Sequence, residues 1–341
     1  MPRIANPFAI DGQWLRGTLH AHTTNSDGAM PPDKLIAHYA HAGWDFLALT
    51  DHWKTTELPE PNPFPGLVVI RGTEVSTDGG STELGTSYHI VGLNLEGPIE
   101  QRKGLTGTAA AQWYIDAIRE QGGEAHLAHP YWSGLTFRDV DGLLGLLAIE
   151  VFNADTEVHI GRGRSEPLWD ELLSRRIPTL GIAVDDCHRP GQDSLRGWTV
   201  VRARDRSVGS IMAALRAGHF YASSGPEIHD VRLELDPAPS GGFAGRVLVR
   251  CSPVRSITLV ADATRGARLN AGPFGMASRA RRLRTPSGHG PEGTVEGELL
   301  TGAELLLTGA ERYVRIQVED DRGRCAWTNP LFVRTSPDEP I

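Results

Sequence analysis

Leu15-Arg16-Gly17-Thr18-Leu19-His20-Ala21-His22 runs from an apolar strand directly into two histidines one residue apart. Alternate side chains of an extended chain point the same way, so His20 and His22 face one point. Neutral imidazoles aimed together can hold a transition metal, although one such pair also suits solvated or hydrogen-bonded histidines. The recurrence of the pattern decides the reading. Trp44 to Leu49 is an apolar run ending in Thr50-Asp51-His52, Leu67 to Ile70 precedes Glu74, and Ala125 to Ala128 precedes His129-Pro130. Thr179 to Val184 precedes Asp185-Asp186-Cys187-His188, and His89 lies inside the strand-like Ser87 to Val91. Asp27 falls in the polar turn Asn25-Ser26-Asp27-Gly28, where glycine frees the backbone. Strands alternate with helical stretches at Pro32 to Ala42, Thr108 to Gln121, Glu166 to Arg175 and Ser207 to Ala217. This alternation predicts an α/β fold of the β/α-barrel kind up to about residue 220.

With these motifs in order, the sequence resembles the polymerase-and-histidinol-phosphatase (PHP) superfamily of metallohydrolases. The motifs are His20-x-His22 with Ser26-Asp27-Gly28, Thr50-Asp51-His52, Gly72-Thr73-Glu74, Ala128-His129-Pro130 and Asp186-x-His188, across residues 14 to 225. Five ordered motifs are far more specific than any one. Leu215 to Tyr221 followed by Ser224-Gly225-Pro226-Glu227-Ile228 is similar, more narrowly, to the branch that includes carbamate-insecticide hydrolases. The resemblance implies a distorted barrel of seven parallel strands, (β/α)7, and two or three divalent metal ions. It implies one ion held by His20, His22 and Asp186, a second by His89 and His129, and Glu74 bridging the two. A third is implied at Asp27, His52 and His188, where some members carry histidine in place of Asp27.

Imidazole and carboxylate donors without thiolate suit zinc, manganese or iron. Cys187, between two ligands, is expected to point away by alternation and to serve as a small packing residue. Bridged divalent ions lower the pKa of bound water, so the expected nucleophile is a metal-bound hydroxide and no side-chain nucleophile is assigned. Three negative ligands against four to six positive metal charges make an anion-attracting pocket despite a formal chain charge of −8. The expected activity is a phosphoesterase acting on a small, anionic, phosphorylated molecule. A carboxylic-ester or carbamate hydrolase and a non-catalytic metal-containing binding protein are the alternatives.

Arg162 and Arg164, in a glycine-flanked loop, are substrate-binding candidates, because arginine forks suit phosphate. The competing reading is two solvated surface arginines. Lys54 and Trp53 follow His52, and Tyr131 and Trp132 follow His129-Pro130, so these side chains form an expected pocket rim. Their alternatives are a solvated lysine and packing aromatics. Asp51 and Asp185 are expected to orient imidazoles or backbone beside the ligands. His126, three residues before His129 in one strand, points to the opposite face, and His38 and His41 sit on a helix remote from the strand ends. His159 shares the arginine loop and can touch substrate, while His219 and His229 belong to the later linker.

Beyond residue 226 the pattern changes to short alternating segments, such as Val231 to Leu235, Arg246 to Cys251, Ser256 to Ala261 and Tyr313 to Val318. Residues 1–226 are therefore read as the barrel and 227–341 as a small all-β sandwich, with long loops within residues 262 to 298. At 341 residues the chain can bury a large core. Three widely spaced cysteines accord with a reducing cytoplasm. No signal-peptide stretch and no membrane-length apolar run is present in the sequence. Forty-two acidic against thirty-four basic residues argue against a generic nucleic-acid partner. The one basic cluster, Arg279, Arg281, Arg282 and Arg284, is read as a solvated loop. The oligomeric state is not legible.

Overall fold

The computed structural model describes residues 6–237, 243–272, 292–296 and 299–333. Its first half alternates β1 (Gln13–Thr18), α1 (Pro32–His41), β2 (Phe46–Leu49), β3 (Val68–Ser76), β4 (His89–Leu93), α2 (Gly107–Glu120) and β5 (Glu124–Leu127). It continues through α3 (Phe137–Val140), β6 (Leu146–Asn153), α4 (Ala154–Ile160), α5 (Glu166–Ser174), β7 (Leu180–Val184), β8 (Trp198–Ala203), α6 (Val208–Arg216) and β9 (Phe220–Ser223). The four helices expected from periodicity form within a residue or so of their expected ends. α2 shows why, since Ala110, Ala111, Tyr114, Ile115 and Ile118 fall on one buried stripe at helical spacing. α4 is a correction: it occupies sequence assigned to the approach of a loop. Its short amphipathic run was masked by the strand before it, and Asn153 caps it by accepting from the Thr156 N–H.

β1, β2 and β3 pair in parallel, as do β5, β6 and β7. β2 and β7 are buried along their whole length, as both faces of a parallel sheet require. The expectation of seven parallel strands is corrected at β4, which runs antiparallel to both β3 and β5. The reversal follows from the short polar connection between Ser76 and His89, which holds no helix able to carry a parallel crossover. Beyond the strand ends, the chain after β7 returns to the chain after β1: the His22 N–H donates to the Cys187 carbonyl at 2.9 Å and the Asp186 N–H to the His20 carbonyl at 3.0 Å.

β8 pairs antiparallel with β1 and β9 with β8, and β9 passes the sheet on to the C-terminal strands. These are β10 (Ile228–Pro237), β11 (Phe243–Val254), β12 (Ser256–Ala261), β13 (Gly266–Asn270), β14 (Glu292–Glu296), β15 (Leu299–Leu307), β16 (Tyr313–Glu319), β17 (Cys325–Thr328) and β18 (Leu331–Phe332). Strands β17, β16, β12 and β13 extend the first sheet, and β10, β11, β15 and β14 form a second one. The two layers share a core of Val231, Val247, Val249 and Leu305 against Ile257, Leu259, Val314 and Ile316. β13 and β14 lie inside the stretch expected to be loops, while the Arg279 to Arg284 cluster lies outside the described residues.

One ion pair ties the C-terminal strands to the first half. Arg315 of β16 is 1% exposed, lies over the Trp169 ring at 4.7 Å and forks onto both carboxylate oxygens of Asp170 in α5, each at 2.7 Å. No helix among the described residues is long and apolar enough to cross a membrane.

Candidate metal centre

All nine residues expected as ligands come to one end of the first sheet. His20 and His22 follow β1, His52 follows β2, Glu74 sits in the last turn of pleat of β3, His129 follows β5, and Asp186 and His188 follow β7. Because β4 is reversed, its first residue, His89, is delivered to that same end. Asp27 arrives from a loop that folds onto His22 and Thr23. A Cβ at Gly28 would stand 2.3 Å from the His22 carbonyl oxygen, so only glycine lets this loop close. His129 and Asp186 adopt positive φ, 27° and 53°, a strain that marks functional positions.

Four donor atoms form the centre. His20 Nε2 stands 3.0 Å from His22 Nε2, 3.1 Å from Glu74 Oε2 and 3.2 Å from Asp186 Oδ1. His22 Nε2 stands 3.1 Å from Glu74 Oε2 and 3.2 Å from Asp186 Oδ1. Five of the six separations among these donors thus lie at 3.0–3.2 Å, close to the roughly 3.3–3.6 Å between neighbouring ligand atoms of a tetrahedral zinc site. Asp186 Oδ1 is buried with no hydrogen-bond partner among the described residues, which a cation at that centre would satisfy. The residues present therefore fit a metal ion.

The other oxygen of Glu74, Oε1, lies 2.8 Å from His89 Nδ1 and 3.2 Å from His129 Nε2. Each oxygen of one buried carboxylate thus faces its own group of imidazoles. In a third group, Asp27 Oδ2 lies 3.4 Å from both His52 Nε2 and His188 Nε2, while Oδ1 is 3.5 Å from His22 Nδ1. A fourth set of donors, Asp155, His159 and Asp193, adjoins it, with His188 Nδ1 3.8 Å from Asp155.

The charges respond to this crowding. Burial disfavours protonation of His20, but Asp186, Glu150 and Glu74 outweigh it and hold its pKa well above the usual value. Burial likewise opposes protonation of His188, and Asp27 and Asp186 overcome it, raising the group to about 10. Hydrogen bonds from His188 and His52 keep the Asp27 carboxyl far below the ordinary carboxylate range.

Glu150 is the important residue that the sequence reading passed over. It is fully buried in β6, and its Oε1 accepts from His20 Nδ1 at 2.7 Å and His126 Nε2 at 3.1 Å. Its Oε2 accepts from the His129 N–H at 2.7 Å and Asn153 Nδ2 at 2.8 Å. His20 Nδ1 must then carry a proton, so Nε2, the nitrogen aimed at the centre, is the one that would give up its proton to a metal ion. Asn153 Nδ2 also donates to Asp186 Oδ2 at 3.0 Å, and Ser133 Oγ lies 3.1 Å from His129 Nδ1. A carboxylate within the apolar run Leu146 to Phe152 was the available signal. It adds a fourth negative charge to the three counted from the sequence.

The remaining candidates fall as follows. His126 is buried on Glu150, away from the four donor atoms, and Cys187 is buried among Ala21, Leu35 and Leu47. Asp51 accepts from the Thr23 N–H and from the hydroxyls of Thr23, Ser26 and Thr56, and Asp185 from three backbone N–H groups and Tyr39, so both hold loops rather than imidazoles. His38 bonds Ser194, His159 pairs with Asp155, and His229 with Glu227. Tyr131 and Trp132 are half exposed, and Trp132 meets the rings of His129 and His89 edge-on at 4.9 and 5.7 Å. Arg162 is exposed over the Tyr131 ring at 5.6 Å. Lys54 reaches the Asn25 carbonyl instead of projecting freely. Two rim assignments are corrected. Trp53 packs against Tyr114 because its positive φ turns it inward, and Arg164 is engaged by the Gly323 carbonyl at 2.7 Å and by Glu157 and Glu166.

No family model matches the chain. It is 39% identical over 83 residues to the 5'-3' exoribonuclease Rnm of Salmonella typhimurium, covering 23% of this chain and 27% of that one. It is 31% identical over 115 residues to a phosphoribosyl 1,2-cyclic phosphate 1,2-diphosphodiesterase of Eggerthella lenta, covering 31% and 43%. The chain therefore spans between about a quarter and two fifths of these relatives. Among solved structures it is similar to a two-domain protein from Bacteroides vulgatus containing a predicted PHP-like metal-dependent phosphoesterase. That likeness has a TM-score of 0.50 at 16% identity and covers 99% of this chain and 96% of the other. The fold is similar to that of a PHP-like protein. The likeness in sequence is confined to part of the chain, and on the C-terminal side the fold adds a further β layer.

Proposed function

We propose that the chain is a metal-dependent phosphoesterase acting on a small phosphorylated molecule. In this reading His20, His22, Asp186 and Glu74 hold one divalent ion, Glu74, His89 and His129 a second, and Asp27, His52 and His188 a third. Zinc, manganese and iron all suit these donors. The observation that carries the proposal is the buried Glu74 carboxylate, each oxygen of which faces a separate set of imidazole nitrogens at 2.8–3.2 Å. When bound, divalent ions supply an activated water and a Lewis acid for phosphoryl oxygens. The chain's own residues set the conditions for that chemistry. Glu150 fixes the tautomer of His20, Ser133 bonds the ring of His129, and Asn153 orients Asp186. Tyr131, Trp132 and Arg162 border the opening and receive the organic part and charge of the substrate.

The catalytic unit in this proposal is a distorted seven-strand barrel of residues 1–226, with 227–341 as the sandwich, in a cytoplasmic protein whose three cysteines are free and buried. The aligned relatives are named for breaking phosphodiester bonds, so a diester belongs in the assay beside a monoester. The test is elemental analysis of the purified protein with hydrolysis of an aryl phosphate, a bis-aryl phosphate and an aryl ester, before and after chelation. Two or three metals with chelator-sensitive phosphoester cleavage are expected. Cleavage of the carboxylic ester alone supports the carbamate-hydrolase reading, and a metal-free, inactive chain refutes both.

A further inference from the structure

A second concavity, of about 510 Å³, lies where the first half meets the C-terminal layer. Four arginines line it: Arg164 and Arg196 from the first half, and Arg322 and Arg324 from the turn between β16 and β17. Two of them are neutralised. Arg164 pairs with Glu157 at 3.4 Å and Glu166 at 3.7 Å, and Arg324 Nε with Asp320 at 2.7 Å. The exposed guanidiniums of Arg196 and Arg322 have no side-chain partner among the described residues. The backbone that carries them is anchored, since the Arg196 N–H donates to Asp185 at 2.8 Å and the Arg322 N–H to Asp320 at 2.9 Å.

The rest of the wall is built around them. A Cβ at Gly225 would stand 2.6 Å from Arg324 Nε, so glycine lets that side chain lie flat against the chain leaving β9. The Arg164 fork clamps the turn through the Gly323 carbonyl and closes the two halves together. The wall is linked to the donor cluster through chain neighbours, one of which, Asp193, accepts from the His188 N–H at 3.0 Å. It includes Ala154, next to Asn153, whose amide bonds Asp186, and Ser194, next to Asp193. Unpaired guanidiniums in a concave wall are anion receptors, and their planar forks match phosphate.

We propose that this pocket is an anion subsite, in which Arg196 and Arg322 receive a phosphate group of the substrate other than the one presented to the donor cluster. The inference rests on the phosphoesterase reading and narrows its substrate class to molecules carrying at least two phosphates. It also gives the C-terminal turn a part in recognition, through Arg322. Arg196→Ala and Arg322→Ala remove no observed side-chain partner, so the double variant is expected to fold as the parent does.

The test uses the metal-loaded full chain and a series of p-nitrophenyl phosphodiesters of α,ω-alkanediols, each with and without a second phosphate on the far hydroxyl. At the spacer that spans the two sites, the parent is expected to prefer the bisphosphate by about 10-fold or more in kcat/KM, mainly through KM. In R196A/R322A that preference is expected to fall to near one. A parent with no preference at any spacer, or a preference that survives in the double variant, overturns the inference while leaving the phosphoesterase intact. Calorimetric titration with sulfate keeps the pocket testable if no phosphoester is cleaved. Sulfate binding lost in the double variant supports the anion subsite, and equal binding by both proteins refutes it. Arginine-dependent sulfate binding in an active enzyme that shows no bisphosphate preference overturns the substrate assignment in favour of a free anion.

Discussion

Glu150→Gln removes one charge and no volume, and the structure says how its effect divides. The carboxylate accepts four hydrogen bonds, two on each oxygen, and a glutamine amide can accept on one side only. The backbone N–H of His129 has no alternative form, so the amide oxygen is expected on the side of His129 and Asn153. The amide NH2 then meets His20 Nδ1 and His126 Nε2. Burial works against ionisation of Glu150, but His20 and His126 outweigh it and hold its pKa down at about 2, so the parent residue only accepts. To receive a proton from glutamine, His20 must give up the proton on Nδ1 and keep one on Nε2, the atom facing Glu74, His22 and Asp186. The lone pair offered to a metal is lost. Replacing a partner of this kind lowers metal affinity by roughly 10- to 100-fold, or about 1.4–2.7 kcal/mol. The metal-free fold is expected to lose about 1–3 kcal/mol from the repelled donor pair. Competition against a chromogenic chelator reads the first quantity, and urea unfolding in chelator reads the second. Parental affinity for the tightest-bound ion in E150Q would refute the assignment of Glu150 as the residue that sets the His20 tautomer.

Three further outcomes are expected. Asp27→Asn weakens the acceptor shared by His52 and His188, so elemental analysis is expected to show one metal fewer per chain with the other sites filled; full occupancy would remove Asp27 from the third group. For pH, His188 is raised to about 10 when folded against about 6.5 unfolded. Its stabilisation of the metal-free protein is therefore complete below about pH 6.5 and is lost as pH rises toward 10, a slope near −1.4 kcal/mol per pH unit for one extra bound proton. Metal binding must displace that proton, so affinity is expected to rise with pH over the same window, and pH-independent affinity would contradict this. Asp170→Asn leaves the buried Arg315 guanidinium without its countercharge and is expected to cost about 2–4 kcal/mol in denaturant unfolding, with a loss under 0.5 kcal/mol counting against the clamp.

The sequence alone singled out the nine residues that the structure brings together and the alternation of elements. Most of the nine stand out because a polar group interrupts an apolar strand end, and helix stripes such as that of α2 follow from local periodicity. The C-terminal strands were legible from their alternation for the same reason. Only the tertiary structure decided the direction of β4, since a strand's pattern is the same read either way and only its neighbours fix its sense. It also decided which donors lie together, for all these contacts except that of His20 with His22 join residues far apart in the chain, as His20 and Asp186 are. Glu150 stood in plain sight as a charge in an apolar run, but its purpose depends on four donors, three of them outside its own strand. Arg164, a phosphate candidate by residue type, closes onto Gly323, whereas Arg196 and Arg322 remain open, because pairing is settled by three-dimensional proximity that linear spacing does not encode.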